Sequence, residues 1–251
     1  MEYNRSFEKL LNILPDEREF VGLGNPNAKI LFIGKECGSE IGSEIEHGCV
    51  KSWLSKDIDY SERYVPKEAN VKNFRHTWQR YQKLYDSILY KLSIDDKKSQ
   101  EDKYAITFVE NVFTTELSNL PAKCTNDAKK QISFSERLKE RKKLLFCSEF
   151  IQEFPIVLIF ANDNKYIETY SGEICELFNV KFDRIYDYDG RDNIWIHYSI
   201  DSNSKLLIHT RQLTNSISKG LIDSISDIVV NFIRKNSTMI INERNERKSE
   251  K

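Results

Sequence analysis

Lys29-Ile30-Leu31-Phe32-Ile33-Gly34-Lys35-Glu36-Cys37-Gly38 is the stretch on which the fold turns. A short apolar run closed by glycine and charge reads as a strand buried on both faces, the pattern of parallel sheets. Three later runs share this form: Asn111-Val112-Phe113-Thr114-Thr115-Glu116, Pro155-Ile156-Val157-Leu158-Ile159-Phe160-Ala161 and Lys205-Leu206-Leu207-Ile208-His209. The second strand starts either near Tyr104-Ala105-Ile106-Thr107-Phe108-Val109 or at Asn111. Between the runs the apolar period changes to three and four. Phe74, Trp78, Tyr81, Leu84, Tyr85, Ile88 and Leu89 mark a helix over 73–92. Similar stripes predict helices over 132–150, 164–178 and 216–233. Strands alternating with helices give an α/β fold of three layers, α/β/α, around a central, mainly parallel four-stranded sheet.

Outward from this frame, Phe7, Leu10, Leu11 and Ile13 predict a short helix that Pro15 ends. The stretch 180–198 alternates apolar and polar residues and carries Asp189-Gly190, a hairpin-turn signal, so it reads as a small β excursion. Residues 1–235 form one domain, and 236–251 a charged C-terminal extension. A chain of 251 residues with 39% apolar and 12% aromatic content can bury a sizeable core. Mean hydropathy is −0.56. No apolar run approaches the roughly 20 residues that span a bilayer. The start, Met1-Glu2-Tyr3-Asn4-Arg5, lacks the apolar core of a signal peptide, so a cytoplasmic location is expected. A net charge of −1 gives no global pull on nucleic acid, and any such binding would rest on a local basic face. Five widely spaced cysteines contain no C-x-x-C pair, which points to reduced thiols and no metal site.

In open α/β sheets ligands bind at the carboxyl ends of the strands. There the chain places Lys35-Glu36-Cys37-Gly38, Glu116 to Asn119, Asn162-Asp163 and His209-Thr210-Arg211-Gln212. Glu36 is the only carboxylate that the first strand puts directly at this edge, and a carboxylate in a cleft can activate water. The alternative is a solvated loop acid. Of the four histidines, His209 alone follows an apolar strand into a polar turn, where it can donate to a developing anion. The alternative is an imidazole hydrogen-bonded within a strand end. Arg211 can grip a phosphate. Glu116 or Asn119 can read the polar edge of a small ring, although a turn before Pro121 explains Asn119 equally well. Trp53, Tyr60, Tyr64, His76 or Trp78 can stack on a base, with Trp78, at helical spacing, reading as core.

These motifs, in this order, resemble the uracil-DNA glycosylase superfamily. Gly22-Leu23-Gly24-Asn25-Pro26-Asn27-Ala28 is similar to the family's G-x-G-x-x-x-A lead-in. Gly34-Lys35-Glu36-Cys37-Gly38 stands where branches of the family have G-E-A-P-G or G-Q-D-P-Y. Thr115-Glu116 matches the family's T-N, with Glu116 replacing the base-reading Asn, and His209-Thr210-Arg211 matches H-P-S with only the His retained. The resemblance implies hydrolysis of an N-glycosidic bond in DNA after base flipping, without a cofactor or metal. Glu36 would position water or stabilise the sugar cation, and His209 would help the base leave. Glu116, Asn119, Cys37 and Gly38 would contact the base. Lys35, Thr210, Arg211 and Gln212 would contact the nucleic acid. An ionised Glu116 only accepts, so it would favour a base offering donors. The altered motifs fit equally a non-catalytic member that binds nucleic acid or a nucleotide in the same cleft. Val21-Gly22-Leu23-Gly24-Asn25-Pro26 is also similar to the opening signature of peptidyl-tRNA hydrolases, but there it ends a strand, and here it precedes one.

Overall fold

A computed structural model of the protein describes residues 3–43, 47–55, 77–94, 106–169, 172–187, 193–201, 204–214 and 217–236. Its strands are β1 (Leu23–Gly24), β2 (Ile30–Gly34), β3 (Val112–Glu116), β4 (Ile156–Phe160), β5 (Val180–Asp187), β6 (Asn193–Ser199) and β7 (Leu206–Thr210). Its α-helices are α1 (Arg5–Ile13), α2 (Val50–Leu54), α3 (Thr77–Lys91), α4 (Thr125–Lys130), α5 (Phe134–Arg141), α6 (Glu149–Gln152), α7 (Glu173–Phe178) and α8 (Lys219–Lys235).

The four apolar runs are parallel neighbours: β2 pairs with β3 and β4, and β4 with β7. The sheet does not stop there. It has seven strands in the order β1-β3-β2-β4-β7-β6-β5, so the expected four-stranded sheet is only its centre. The correction has a physical cause. The stretch over 180–198 satisfies its backbone by pairing β6 antiparallel to the otherwise open edge of β7, with β5 antiparallel outside it. The expected alternation is not seen in burial: in β5 only Val180 is buried and Phe182 half-buried, while β6 is buried over Ile194 to His197. Asp189-Gly190 lies outside the described residues. At the other edge β1 runs antiparallel to β3. Gly24, at φ 90°, leaves no room for a side chain, because a Cβ there would overlap the Val112 carbonyl. Close packing against β3 thus accounts for this glycine of the lead-in.

Successive strand residues point to opposite faces. Leu31, Ile33, Phe113, Val157, Ile159 and Leu207 join one core with α1, α5, α6 and α7 residues such as Phe7, Phe134, Phe150 and Ile174. Ile30, Phe32, Val112, Leu158, Phe160 and Ile208 join the other, against Tyr81, Leu84, Leu221, Ile225 and Val229 of α3 and α8. Each fully buried side chain of this size contributes roughly 1.5–3 kcal/mol of transfer free energy. Helices therefore cover both faces. Ser218 caps α8 by accepting from the Leu221 N–H at 3.1 Å.

Several helical expectations shift. The stripe over 132–150 is three pieces: α5, a π-turn over Lys142–Phe146, and α6. In place of one helix over 164–178 there is a polar turn, and α7 begins after Gly172 at φ 57°. The second strand starts at Val112, after a 3₁₀ turn over Phe108–Glu110. The predicted start of α3 at residues 73–76, and Tyr60, Tyr64 and the tail beyond 236, fall outside the described residues.

Candidate functional site at the carboxyl edge

Glu36 follows β2 by two residues and is half-buried. Its carboxyl is held by two hydroxyls from distant elements: Thr125 Oγ1 donates to Oε1 at 2.9 Å, and Tyr166 Oη to Oε2 at 2.5 Å. Tyr166 is buried and edge-on to Phe134, with ring centroids 5.1 Å apart. Burial, followed by the hydrogen bond to Glu36, pushes its phenol well above the ordinary range, so it stays a donor.

Two lysines flank this pair. Lys35 and Lys129 both place Nζ 5.8 Å from the Tyr166 ring centroid, one cation–π contact each. Asp163, just past β4, binds Lys129 closely and lies 3.8 Å from Lys35 Nζ. Burial works to raise the Asp163 carboxyl, but the Lys129 hydrogen bond, the Lys165 backbone N–H and both lysine charges hold it below its usual range. Asp163 thus offsets much of the basic charge that a phosphate would meet.

Glu116 ends β3 in register with Gly34. By strand alternation its side chain falls on the α3 side of the sheet, whereas Glu36 is held by Tyr166 of the opposite core. The two carboxyls therefore straddle the sheet's edge. Burial first, and then the charge of Glu36, push the Glu116 carboxyl up to about 8, with Arg141 opposing. At neutral pH Glu116 is mostly protonated. Tyr81, fully buried beneath this edge between Phe32 and Phe160, has a hydroxyl with no hydrogen-bond partner among the described residues. The Glu116 charge is one of two influences raising its phenol, after burial.

Arg141 ties the strand tips to the chain's beginning. It donates to the Glu116 carbonyl (2.9 Å), the Thr115 hydroxyl (3.0 Å), the Phe20 carbonyl (2.5 Å) and Glu19 Oε1 (2.7 Å). Glu19 Oε2 accepts from Asn119 Nδ2 at 2.5 Å, so Asn119 is turned toward this brace and its Oδ1 is buried with no partner among the described residues.

His209 is fully buried. Its Nε2 lies 2.9 Å from the Ala161 carbonyl oxygen and its Nδ1 faces that of Thr169. Burial lowers the imidazole to about 4, with Ala161 opposing, so the ring is neutral at pH 7 and its N–H serves the backbone. The segment over 161–169 thus holds Glu36 through Tyr166 and His209 through the Ala161 carbonyl, with the Thr169 carbonyl facing its other ring nitrogen, on one side of the sheet. Thr210 is also buried, donating to the Asn193 carbonyl at 2.9 Å. Arg211 and Gln212 are half-buried beyond it. Cys37 is half-buried, and burial followed by the Glu116 charge raises its thiol far above the ordinary value, which makes it a poor nucleophile. Gly38 is exposed.

Sequence reasoning missed Thr125, Lys129, Arg141 and Tyr166. Tyr166 lies within the stripe that predicts a helix over 164–178, and Asp163 stands among the polar residues at a strand end. Among the described residues no group of His, Cys, Asp and Glu is placed to hold a metal, and no helix is long and apolar enough to cross a membrane. Comparison with protein families and with curated proteins finds no match to this chain.

Proposed function

We propose that the carboxyl edge of β2, β3 and β4 receives a nucleobase swung out of DNA and hydrolyses its N-glycosidic bond, in a fold of the uracil-DNA glycosylase kind. The observation that carries this reading is the pair of carboxyls at neighbouring strand tips with divided roles. In this reading Glu36, whose carboxyl accepts from Tyr166 and Thr125, positions water and faces a developing sugar cation. Glu116, pushed up to about 8, keeps its proton at pH 7. Environments that separate two carboxyl pKa values assign them different tasks.

A protonated carboxyl presents one O–H donor beside one carbonyl acceptor, as a side-chain amide does. It therefore complements a lactam edge, N–H next to C=O, such as uracil, hypoxanthine or xanthine carry. This replaces the expectation of an acceptor-only Glu116. Lys35 and Lys129 share the Asp163 carboxylate, so this edge offers little net positive charge to a nucleic-acid backbone.

The test is base release from oligonucleotides carrying uracil, hypoxanthine, xanthine or alkylated bases. Release from a lactam-bearing substrate, lost in Glu36→Gln and retained in Glu116→Gln, supports the reading. One observation favours the second reading, binding without cleavage: His209 is fully buried, with both ring nitrogens turned to backbone carbonyls, so leaving-group assistance has no free donor there. Retention of these oligonucleotides without any base release selects it.

A further inference from the structure

The opposite edge of the sheet carries an arrangement that the carboxyl edge does not use. Lys29, Pro155 and Lys205 immediately precede β2, β4 and β7 and stand side by side. The Ile156 N–H donates to the Lys29 carbonyl at 3.3 Å, and the Leu206 N–H to the Pro155 carbonyl at 2.8 Å. Two cavities open at this edge, of about 440 Å³ and about 290 Å³. Gln152, Ser204 and Lys205 line both, so Lys205 stands in their shared wall.

Lys205 is 9% exposed. Among the described residues its Nζ has one acceptor, Gln152 Oε1, at a long 3.4 Å. That oxygen is fixed in place, because Gln152 Nε2 donates to the carbonyls of Phe146 (2.8 Å) and Leu177 (2.7 Å). Among the described residues no carboxylate lies within ion-pair distance of Lys205. An ammonium has three donors, and a buried one with a single long contact is under-satisfied. Burial accordingly lowers its pKa to about 8.

The two cavities differ in charge. Glu176 and Asp201 line the larger, which disfavours an anion. The smaller combines Lys29 and Lys205 with Phe154, Pro155 and Phe232. The one acid among its described lining residues, Glu153, has Oε2 engaged by Asn4 Nδ2 at 2.8 Å and Ser6 Oγ at 2.6 Å. Lys205 brings a buried ammonium to this cavity, the Glu153 carboxylate is already held by neutral donors, and a single ammonium suits a monoanion better than a dianion. The aromatic and proline walls suit a compact apolar body.

We propose that this smaller cavity is a binding site for a small organic carboxylate with an apolar body, its carboxylate clamped by Lys205. Benzoate is the probe, with inorganic phosphate as the comparison anion, each titrated by calorimetry into the full chain. Benzoate binds, phosphate binds more weakly, and Lys205→Met weakens benzoate about tenfold or more, the loss of one charge-assisted hydrogen bond. Benzoate also binds more weakly at about pH 9.5 than at about pH 7, as Lys205 loses its proton, with Lys29 and Glu153 facing the smaller cavity and Glu176 and Asp201 facing Lys205 from the larger. With the unaltered protein, benzoate slows acetylation of Lys205 by acetic anhydride, read by peptide mass. No benzoate binding, tighter binding of phosphate, equal binding by Lys205→Met, or unprotected acetylation at saturating benzoate overturns the proposal.

Discussion

The Glu116 carboxyl lies against the backbone of Gly34, its register partner on β2, in the space that a methyl group at Gly34 would occupy. Glycine at the end of β2 is therefore what lets a carboxyl fold back over the strand tips and lose its water. In Gly34→Ala the obstructing atoms are the far end of a flexible side chain, so the fold survives at a cost of about 1–3 kcal/mol while Glu116 swings outward. Its carboxyl then titrates closer to the ordinary 4.5 than to about 8. Carbon-detected NMR titration of the glutamate carboxyls reads this directly, and a value still near 8 in Gly34→Ala contradicts the packing argument.

Glu116 also sets a pH dependence of stability. Between its ordinary 4.5 and about 8 the folded chain keeps a proton that the unfolded chain has released. Stability from this group is therefore highest below 4.5 and declines as pH rises to about 8. Glu116→Gln removes the dependence, so the variant gains on the parent protein in urea midpoint as pH rises through this interval. A difference that stays flat contradicts a protonated Glu116.

His209 acts in the opposite direction. Its ordinary 6.5 falls to about 4 in the folded chain, so on acidification the unfolded chain takes up a proton first. Stability from this residue is lost as pH drops from 6.5 toward 4. His209→Gln shows a shallower acid slope in thermal melts over that range. An unchanged slope contradicts the buried neutral imidazole.

Arg141 is 2% exposed and serves four acceptors, one of them the Glu19 carboxylate. Arg141→Met leaves that half-buried carboxylate unpaired and costs about 3–5 kcal/mol. Chemical denaturation measures it, and a loss below about 1 kcal/mol contradicts the brace as a stability element.

The parallel centre of the sheet was legible because β2, β4 and β7 are buried along their whole length, which leaves nearly unbroken apolar runs. The edges were legible in part: 180–198 reads as β structure and forms β5 and β6, but nothing in it signals that β6 continues the sheet beyond β7, and β1, two residues long, leaves no apolar run. Glu36, Glu116 and His209 were legible as strand-end residues, since chain position alone sets that. What fixes their chemistry was not, because it is long-range: Tyr166 reaches Glu36 across 130 positions, and Arg141 reaches Glu19 across 122. The turn over 163–169 resembled a helix because Tyr166 and Ile167 are buried with apolar spacing. Its backbone instead turns outside α7, presenting the Thr169 carbonyl to His209.

The most direct measurement is base release by purified protein from uracil-, hypoxanthine- and xanthine-bearing oligonucleotides, compared among the unaltered chain, Glu36→Gln and Glu116→Gln. The account predicts release by the unaltered chain and Glu116→Gln from at least one of these, and none by Glu36→Gln. Release undiminished in Glu36→Gln, or no release from any of the three, contradicts it.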